Sequence, residues 1–254
     1  MPSNIFDKRK IMFASLPLDD RKAFTQVVDS QINRRRMLYY GLIGIVGVIG
    51  GLLPPLALGD SNLMHGTKKE RLANMSKALL LIDIQNDYFA GGKAELFKPD
   101  EALYAAEKVL GMFRKHGLPV IHVQHINTRE GATFFLSNTE GAKIHERLTP
   151  HDGESVVVKH TPNSFYNTSL SDIIREKQLS ELVVCGMMTP MCVDTTVRAA
   201  KDYGISITLI HDACATKDLV FGGEKLPANM IQKAYLAGLN GMFANIIGAS
   251  ELQL

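Results

Sequence analysis

From about residue 77 onward, short apolar runs alternate with longer amphipathic stretches. The apolar runs predict buried strands at 78–84, 119–124, 155–159, 181–185, 205–210 and 243–247. Apolar residues at helical spacing predict helices at 100–116, 169–178, 191–203 and 227–240. Strands that alternate with helices of this length are typical of an α/β fold, in which helices pack on a parallel sheet.

The first 59 residues follow a different pattern. The stretch Asn33-Arg-Arg-Arg-Met-Leu-Tyr39 precedes a glycine-rich run, Gly41 to Gly59, that has no charged residue. This order resembles a twin-arginine export signal, and Ala57-Leu58-Gly59 offers a small-x-small cleavage site. An uncleaved anchor is the alternative, because residues 39–58 are about long enough to span a bilayer. Six glycines and a Pro-Pro pair disfavour a third alternative, a buried core helix.

We therefore expect residues 1–59 to form a signal or membrane anchor that is separate from the rest of the chain. Residues 33–59 are the part expected to engage the export machinery or a membrane. The arginine triplet keeps the N-terminus in the cytoplasm under either interpretation. The expected location is accordingly exported (periplasmic) or membrane-anchored.

Charge and composition narrow the classes of function. Residues 1–59 carry 8 Lys/Arg against 4 Asp/Glu, whereas residues 60–254 carry 20 against 22. The second part is thus near neutral, and the chain has no tryptophan, which argues against nucleic-acid binding. The absence of GxGxxG and Walker A motifs argues against a nucleotide-dependent enzyme.

Three reactive side chains stand at the ends of predicted strands. Asp83 ends the first strand, Lys159 ends the third, and Cys192 follows the fourth. Because the carboxyl ends of parallel strands lie at one edge of a sheet, we expect these side chains to converge. An acid, a cation and a thiol at one place form a constellation suited to nucleophilic catalysis.

The thiol of Cys192 lies where a predicted helix begins. Unpaired N–H groups and the helix dipole at such a position favour a thiolate, and the N–H groups can also hold an oxyanion. The alternative is a small buried cysteine with a packing role, which is how we interpret Cys185. The three cysteines show no CxxC spacing, so neither a structural zinc site nor a redox pair is supported.

Three segments together resemble the isochorismatase-like cysteine hydrolases, in the branch of nicotinamidases and streptothricin hydrolase. They are Asp83-Ile-Gln-Asn-Asp-Tyr-Phe89, Lys159 before His160-Thr-Pro-Asn-Ser-Phe165, and Gly186-Met-Met-Thr-Pro-Met-Cys-Val193. The resemblance implies one hydrolase domain over about residues 77–248, with a three-layer, doubly wound sheet of about six parallel strands. It also implies a catalytic triad of Asp83, Lys159 and Cys192, a cis peptide between Met187 and Met188, and a homo-oligomer.

These parts predict a cysteine-dependent hydrolase that cleaves a C–N bond of a small amide or lactam. Asp83 takes the proton of Cys192, Lys159 holds the thiolate, and the thiolate attacks the carbonyl to give a thioester. The backbone N–H groups of Met188 and Cys192 are the expected oxyanion hole. Gln85 and Asp87 are interpreted as structural residues of the turn after the first strand.

The substrate is less defined. Nicotinamidases of this family bind a metal through an Asp-x-His pair, which the stretch from His122 to Phe135 lacks, so we predict no metal and no cofactor. The pieces 131–135 and 144–150 resemble the streptothricin-hydrolase branch, which suggests a cyclic or small aliphatic amide. Candidate pocket residues are Phe89, His125, Phe134, Phe135 and Phe165. Two alternatives stay open: a catalytically silent, membrane-tethered binding module, and a metal-assisted hydrolase that uses His125 and His145.

Overall fold

A computed structural model describes residues 76–254, and the predictions for residues 1–59 lie outside this range. The strands are β1 Ser76–Ile82, β2 Val120–His125, β3 Ser155–Lys159, β4 Leu179–Met187, β5 Ser206–Ala215, β6 Leu219–Phe221, β7 Glu224–Leu226 and β8 Asn245–Ile247. The α-helices are α1 Pro99–Lys115, α2 Leu170–Glu176, α3 Asp194–Asp202 and α4 Ala228–Leu239. No helix within residues 76–254 is both long enough and apolar enough to cross a membrane.

Six strands form one parallel sheet in the order β3-β2-β1-β4-β5-β8. The strand order reverses between β1 and β4, because the chain moves outward through β2 and β3 and then returns to the other side of β1. A crevice opens at the carboxyl ends of the strands where such a reversal occurs, and ligands bind there in open α/β sheets. The prediction of an α/β fold with about six parallel strands is confirmed.

Hydrophobic cores lie on both faces of the sheet, because alternate residues of β1 point to opposite sides. Leu79 and Leu81 belong to one core with α1, while Leu80 and Ile82 belong to the other with α2, α3 and the end of α4. The helix α1 shows why the sequence folds this way locally. It begins with a proline at its first position, has two acidic residues in its first turn, and has two basic residues in its last turn.

The structure corrects two predicted elements near the carboxyl edge. The helix predicted at 191–203 begins instead as a π-helical turn, Thr189–Val193, which leads into α3. The carbonyl of Met188 accepts hydrogen bonds from the amides of Met191 (3.1 Å) and Val193 (3.3 Å), which sets the wider turn. The strand predicted at 205–210 continues to Ala215 through an irregularity in its pairing with β4. The short antiparallel pair of β6 and β7 was not predicted.

A partly buried ion network ties α1 to the start of β3. Arg114 pairs with Glu154 at 2.7 Å, and the Nε2 atom of buried His122 lies 2.8 Å from the same carboxylate. Burial alone raises the pKa of Glu154, but the hydrogen bonds from Arg114, from the His151 amide and from His122 outweigh burial and lower the pKa to about 2. The pKa of His122 is lowered by burial.

Replacing Glu154 by Gln is expected to lower the free energy of unfolding at pH 7 by about 2–3 kcal/mol. Because the pKa of Glu154 in the folded protein is depressed, its stabilisation is present above the ordinary value of 4.5 and is lost as the pH falls through about 2. Urea unfolding at several pH values checks this. The difference in unfolding free energy between wild type and Glu154→Gln is expected to narrow below pH 4.5. The exposed control Glu101→Gln is expected to lower the unfolding free energy by about 0.5 kcal/mol or less. An equal cost for both variants contradicts the prediction.

Candidate active site

The three predicted catalytic side chains lie at the carboxyl edge of the sheet, after β1, at the end of β3 and after β4. Asp83 directly follows β1, in a left-handed backbone conformation (φ 52°) that aspartate tolerates better than most residues. Lys159 is the last residue of β3, and Cys192 lies in the π-helical turn after β4. The reversal of strand order therefore brings three distant parts of the chain to one point.

The ammonium group of Lys159 is the centre of this site. Its Nζ atom lies 2.7 Å from Asp83 Oδ2, 3.2 Å from Cys192 Sγ and 3.0 Å from His125 Nδ1. It also donates to the carbonyl of Thr161 at 3.0 Å. The ammonium thus has three N–H donors and four acceptors within reach.

Burial controls the charges of the site. Asp83, Lys159 and Cys192 are 0%, 1% and 5% exposed, so any net charge here is costly unless it is paired. Burial raises the pKa of Asp83 more than Lys159 lowers it. Burial by itself lowers the pKa of Lys159, but its interactions with Asp83 and with the Cys192 sulfur outweigh burial and raise the pKa. The resting site therefore pairs a protonated lysine with one negative charge, that of the Asp83 carboxylate.

The expectation that the helix terminus lowers the pKa of Cys192 is wrong for the resting site. Burial, followed by the Asp83 charge, raises the pKa of Cys192 well above its ordinary value, although Lys159 opposes both. The resting cysteine is accordingly a thiol. The ligand atoms of Asp83 and Cys192 lie within 4.8 Å of each other, so the carboxylate is close to the thiol, and transfer of the thiol proton requires the two groups to approach to about 3 Å.

His125 is the third side chain that contacts the ammonium group of Lys159. Burial, together with the charge of Lys159, lowers the pKa of His125 to about 3, so its imidazole is neutral at physiological pH. A neutral imidazole that accepts from Lys159 at Nδ1 carries its proton on Nε2. Its side chain is 14% exposed, and its ring centroid lies 5.9 Å from that of Phe135. The sequence proposed His125 as a pocket residue, and the structure places it beside Lys159.

Asp83, His125 and Cys192 have the donor types of a metal site, with ligand atoms within 4.8 Å of one another. However, Lys159 Nζ already lies 2.7–3.2 Å from these three groups. A divalent ion bound to the same atoms, at about 2.0–2.3 Å, would meet the ammonium at close range, and like charges repel strongly in a buried site. Nor does His145 join the cluster; its Nδ1 accepts from the Arg147 amide, and its ring packs 4.4 Å from Phe89. The residues do not fit a metal while Lys159 is charged.

The turn that carries Cys192 is held close to β1. A Cβ atom at Gly186 would lie 2.4 Å from the carbonyl oxygen of Ile82, so only glycine allows this approach of the two strands. The peptide between Met187 and Met188 is cis, as the resemblance implied. The amides that donate to the Met188 carbonyl are those of Met191 and Val193. The amides of Met188 and Cys192, predicted as the oxyanion hole, take no part in these hydrogen bonds.

Replacing Gly186 by Ala is expected to destabilise the protein by about 2–4 kcal/mol and to abolish most activity. The added methyl group forces β4 away from β1, and the distance between Cys192 and Asp83 increases with it. Thermal unfolding and steady-state kinetics check both effects. The matched control is Gly111→Ala, because a Cβ atom at this position of α1 would meet nothing within 4 Å. Alanine favours the helix over glycine, so this control is expected to be slightly more stable than wild type. Unchanged activity in Gly186→Ala contradicts the argument.

Two buried polar residues organise the walls of the site. The Gln85 side chain donates to the carbonyls of Ala142 (2.7 Å) and His125 (2.9 Å) and accepts from the His125 amide (2.8 Å). Asp87 accepts from the amides of Phe135 (2.6 Å) and Lys93 (3.1 Å). These contacts support the structural interpretation of both residues, and they fix the segment that carries the predicted pocket walls.

The predicted aromatic pocket residues divide between the two faces of the sheet. Phe134 and Phe135 pack against Tyr88, with ring centroids 6.4 Å and 4.7 Å from its own. Phe89 belongs to the same core and packs on His145. Phe165 instead lies in the opposite core, where it stacks on Tyr203 at 4.7 Å. The structure therefore brings three of the four phenylalanines together and places the fourth elsewhere.

One residue that supports the site was not found from the sequence. The hydroxyl of Thr189, in the turn of Cys192, donates to Gln232 Oε1 at 2.6 Å. The same Gln232 side chain donates to the carbonyl of Cys214 at 3.1 Å and so ties α4 to the end of β5. A glutamine on an amphipathic helix gives no sequence signal of this role, because its partners come from other parts of the chain.

A parallel α/β sheet whose carboxyl edge holds a buried Asp–Lys–Cys arrangement is typical of cysteine hydrolases. Residues 77–251 match the family described as the isochorismatase domain. The chain belongs to the isochorismatase family of hydrolases, as its three motifs predicted.

Individual relatives support this assignment. The isochorismatase family protein YddQ of Bacillus subtilis is 49% identical over 172 residues, which cover 68% of this chain and 96% of YddQ. Streptothricin hydrolase of Streptomyces noursei is 32% identical over 161 residues, or 62% of this chain and 63% of that protein. The crystal structure of an isochorismatase hydrolase from Oleispira antarctica aligns with a TM-score of 0.68 at 43% identity, over 70% of this chain and 96% of that one.

Proposed function

We propose that this protein is a cysteine-dependent hydrolase that cleaves a C–N bond of a small amide or lactam through a thioester intermediate. The observation that carries the proposal is the position of Lys159, whose ammonium contacts both Asp83 (2.7 Å) and Cys192 (3.2 Å) in a buried site. That arrangement joins a proton acceptor, a nucleophile and a counter-charge.

The first step is the transfer of the thiol proton from Cys192 to Asp83. This transfer moves the negative charge from the carboxylate to the sulfur, and Lys159 contacts both atoms, so the site keeps its net charge throughout. Because the raised pKa values of Asp83 and Cys192 have the same cause, burial, the proton moves between two groups that are both disfavoured as anions. The thiolate therefore forms only beside the ammonium that stabilises it.

The sulfur then attacks the carbonyl carbon of the substrate, and the C–O π electrons move to the oxygen. The amides of Met188 and Cys192 stabilise this oxyanion. As the C–N bond breaks, Asp83 returns its proton to the departing nitrogen, and the acyl group stays on Cys192 as a thioester. Asp83 next takes a proton from water, and the resulting attack releases a carboxylic acid and restores the thiol.

Two observations support an amide or lactam as the substrate. First, one of the relatives described above, streptothricin hydrolase, has a name that states which compound it hydrolyses, and it is 32% identical to this chain. In addition, the ring of Phe135, which packs with Tyr88 and Phe134, lies 5.9 Å from that of His125, and His125 contacts Lys159. Flat apolar side chains beside a few polar groups suit a small cyclic ligand.

A panel of small amides and lactams tests the proposal with the full-length protein. Acyclic amides are followed by the release of ammonia or amine, and lactams by the appearance of the ring-opened amino acid. Intact-mass spectrometry of acid-quenched turnover mixtures is run in parallel. The expected result is turnover of at least one cyclic amide together with a mass increase equal to the whole lactam, because the amine of the opened ring stays attached to the acyl group. This adduct is lost after hydroxylamine treatment. Turnover without any covalent adduct on Cys192 under single-turnover conditions contradicts the thioester route.

A further inference from the structure

His125 presents its second ring nitrogen, Nε2, to the space beside the proposed active site. Its Nδ1 atom lies 3.0 Å from Lys159 Nζ, whereas Nε2 has no hydrogen-bond partner in the described part of the chain. The fully buried polar atoms that lack a partner within this part include Nδ1 of His122 but not Nε2 of His125. The Nε2 atom therefore lies on the accessible edge of the ring, whose side chain is 14% exposed.

The main chain of His125 holds the ring in place. Its amide donates to Gln85 Oε1 at 2.8 Å, and its carbonyl accepts from Gln85 Nε2 at 2.9 Å. The residue also lies opposite Lys159 in the pairing of β2 with β3, so the backbones that carry the ring and the ammonium are joined. The direction of Nε2 is thus fixed before a ligand binds, which reduces the conformational entropy lost on binding.

The protonation state of the ring is fixed as well. Burial, together with the charge of Lys159, lowers the pKa of His125 to about 3, so the ring is neutral at physiological pH. Since Nδ1 accepts from Lys159, the proton of the neutral ring lies on Nε2. His125 therefore offers one uncharged N–H donor. A ligand that covers this donor without accepting from it leaves a buried donor unpaired, which is costly.

The donor lies close to the sulfur that attacks a substrate in the proposed reaction. One ring nitrogen of His125, one carboxylate oxygen of Asp83 and the Cys192 sulfur lie within 4.8 Å of one another. A single ring carbon separates Nε2 from Nδ1. A hydrogen-bond acceptor lies about 2.9 Å from its donor, and a carbon under attack about 3–3.5 Å from its nucleophile. One small molecule therefore meets both atoms when its acceptor is within about three bonds of its scissile carbonyl.

We propose that the Nε2–H group of His125 is a specificity-determining donor that binds a second, uncharged acceptor of the substrate, within about three bonds of the scissile carbonyl. This role rests on the proposed function and names its substrate class: cyclic imides, and amides with a hydroxyl or carbonyl oxygen near the scissile group. A carboxylate in this place would add a negative charge beside Asp83, whereas a neutral oxygen satisfies the donor and leaves the charge of the site unchanged. The Phe135 ring, 5.9 Å from that of His125, gives a flat compound an apolar wall.

Matched pairs of substrates that differ in this acceptor test the role of His125 in the full-length protein. The pairs are succinimide with butyrolactam, glutarimide with valerolactam, and glycolamide with propanamide. The measured quantity is the selectivity, which is the kcat/KM of the acceptor-bearing compound divided by that of its partner. The selectivity of each variant is divided by that of wild type, so the different intrinsic reactivities of the two compounds cancel.

Two variants of His125 separate the donor from the contact with Lys159. His125→Asn keeps an oxygen that accepts from Lys159 but has no atom in the place of Nε2, and its selectivity is expected to fall about 10-fold. His125→Gln extends an amide N–H to the place of Nε2, and its selectivity is expected to stay within about threefold of wild type. The control His116→Asn alters an exposed histidine between α1 and the start of β2, at the opposite edge of the sheet, and is expected to match wild type. Thermal unfolding verifies that all variants are folded.

The variant Cys192→Ala, assayed on the same pairs, distinguishes this role from the proposed function. Turnover that persists in Cys192→Ala contradicts the proposed function and, with it, this inference. Turnover that depends on Cys192, together with wild-type selectivity in His125→Asn, overturns the role of His125 alone. The role is also overturned if His125→Gln loses as much selectivity as His125→Asn, or if wild type hydrolyses none of the three acceptor-bearing compounds.

Discussion

Replacing Cys192 by Ala is expected to lower kcat/KM for the amide substrate by about ten-thousand-fold or more, because the nucleophile is removed. Cys192 is 5% exposed and its sulfur contacts Lys159 at 3.2 Å, so the substitution leaves a small buried cavity but creates no unpaired charge. The free energy of unfolding is expected to fall by only about 1–2 kcal/mol. Activity and stability are therefore expected to respond very differently.

The Cys192→Ser variant is the matched control for this prediction. A hydroxyl group fits the space of the thiol and accepts from Lys159, yet it gives up its proton far less readily to a carboxylate. We expect its kcat/KM to remain at least about a thousand-fold below wild type. Initial rates at saturating and limiting substrate, with unfolding curves for all three proteins, make the comparison. Rates near wild type in either variant would remove Cys192 as the nucleophile.

Asp83→Asn is expected to be the most destabilising single change at the site, costing about 3–5 kcal/mol in unfolding free energy. It leaves the ammonium of Lys159, whose side chain is fully buried, without its carboxylate partner at 2.7 Å. Activity is also expected to vanish, because an amide cannot take the thiol proton. Denaturant unfolding and the amide assay measure the two effects.

The double variant Asp83→Asn with Lys159→Met separates pairing from catalysis. It removes both charges, so most of the stability lost in Asp83→Asn is expected to return, while activity stays absent. A double variant that is as unstable as the sum of the two single variants would show that the pair contributes through packing, not through charge. Recovery of turnover in the double variant would contradict the assigned roles.

The sequence was sufficient to predict the fold class and the meeting of the three side chains. Buried strands of a parallel sheet read as continuous apolar runs, and polar residues stand out where such runs end. Asp83 and Lys159 are visible for this reason. Parallel strands all end at the same edge of the sheet, so residues at the ends of different strands are expected to lie close together in space.

The remaining features depend on contacts that no local pattern encodes. The pKa of Cys192 is raised because the fold buries the thiol beside Asp83, whereas the helix terminus alone suggested the opposite shift. Gln232 supports the turn that carries Cys192 from a helix 40 residues further along the chain. The hairpin of β6 and β7 escaped prediction because its strands of three residues are too short for a periodic signal.

The surplus of acceptors around Lys159 has a consequence for the speed of the reaction. With Thr161, His125, Asp83 and Cys192 all within 3.2 Å of one ammonium, its three protons are shared among four partners. When negative charge moves from carboxylate to sulfur, the ammonium strengthens one bond as another weakens, by a small rotation of its N–H bonds. Because the Lys159 ammonium already contacts both the proton donor and the proton acceptor, the reorganisation energy of the proton transfer stays small.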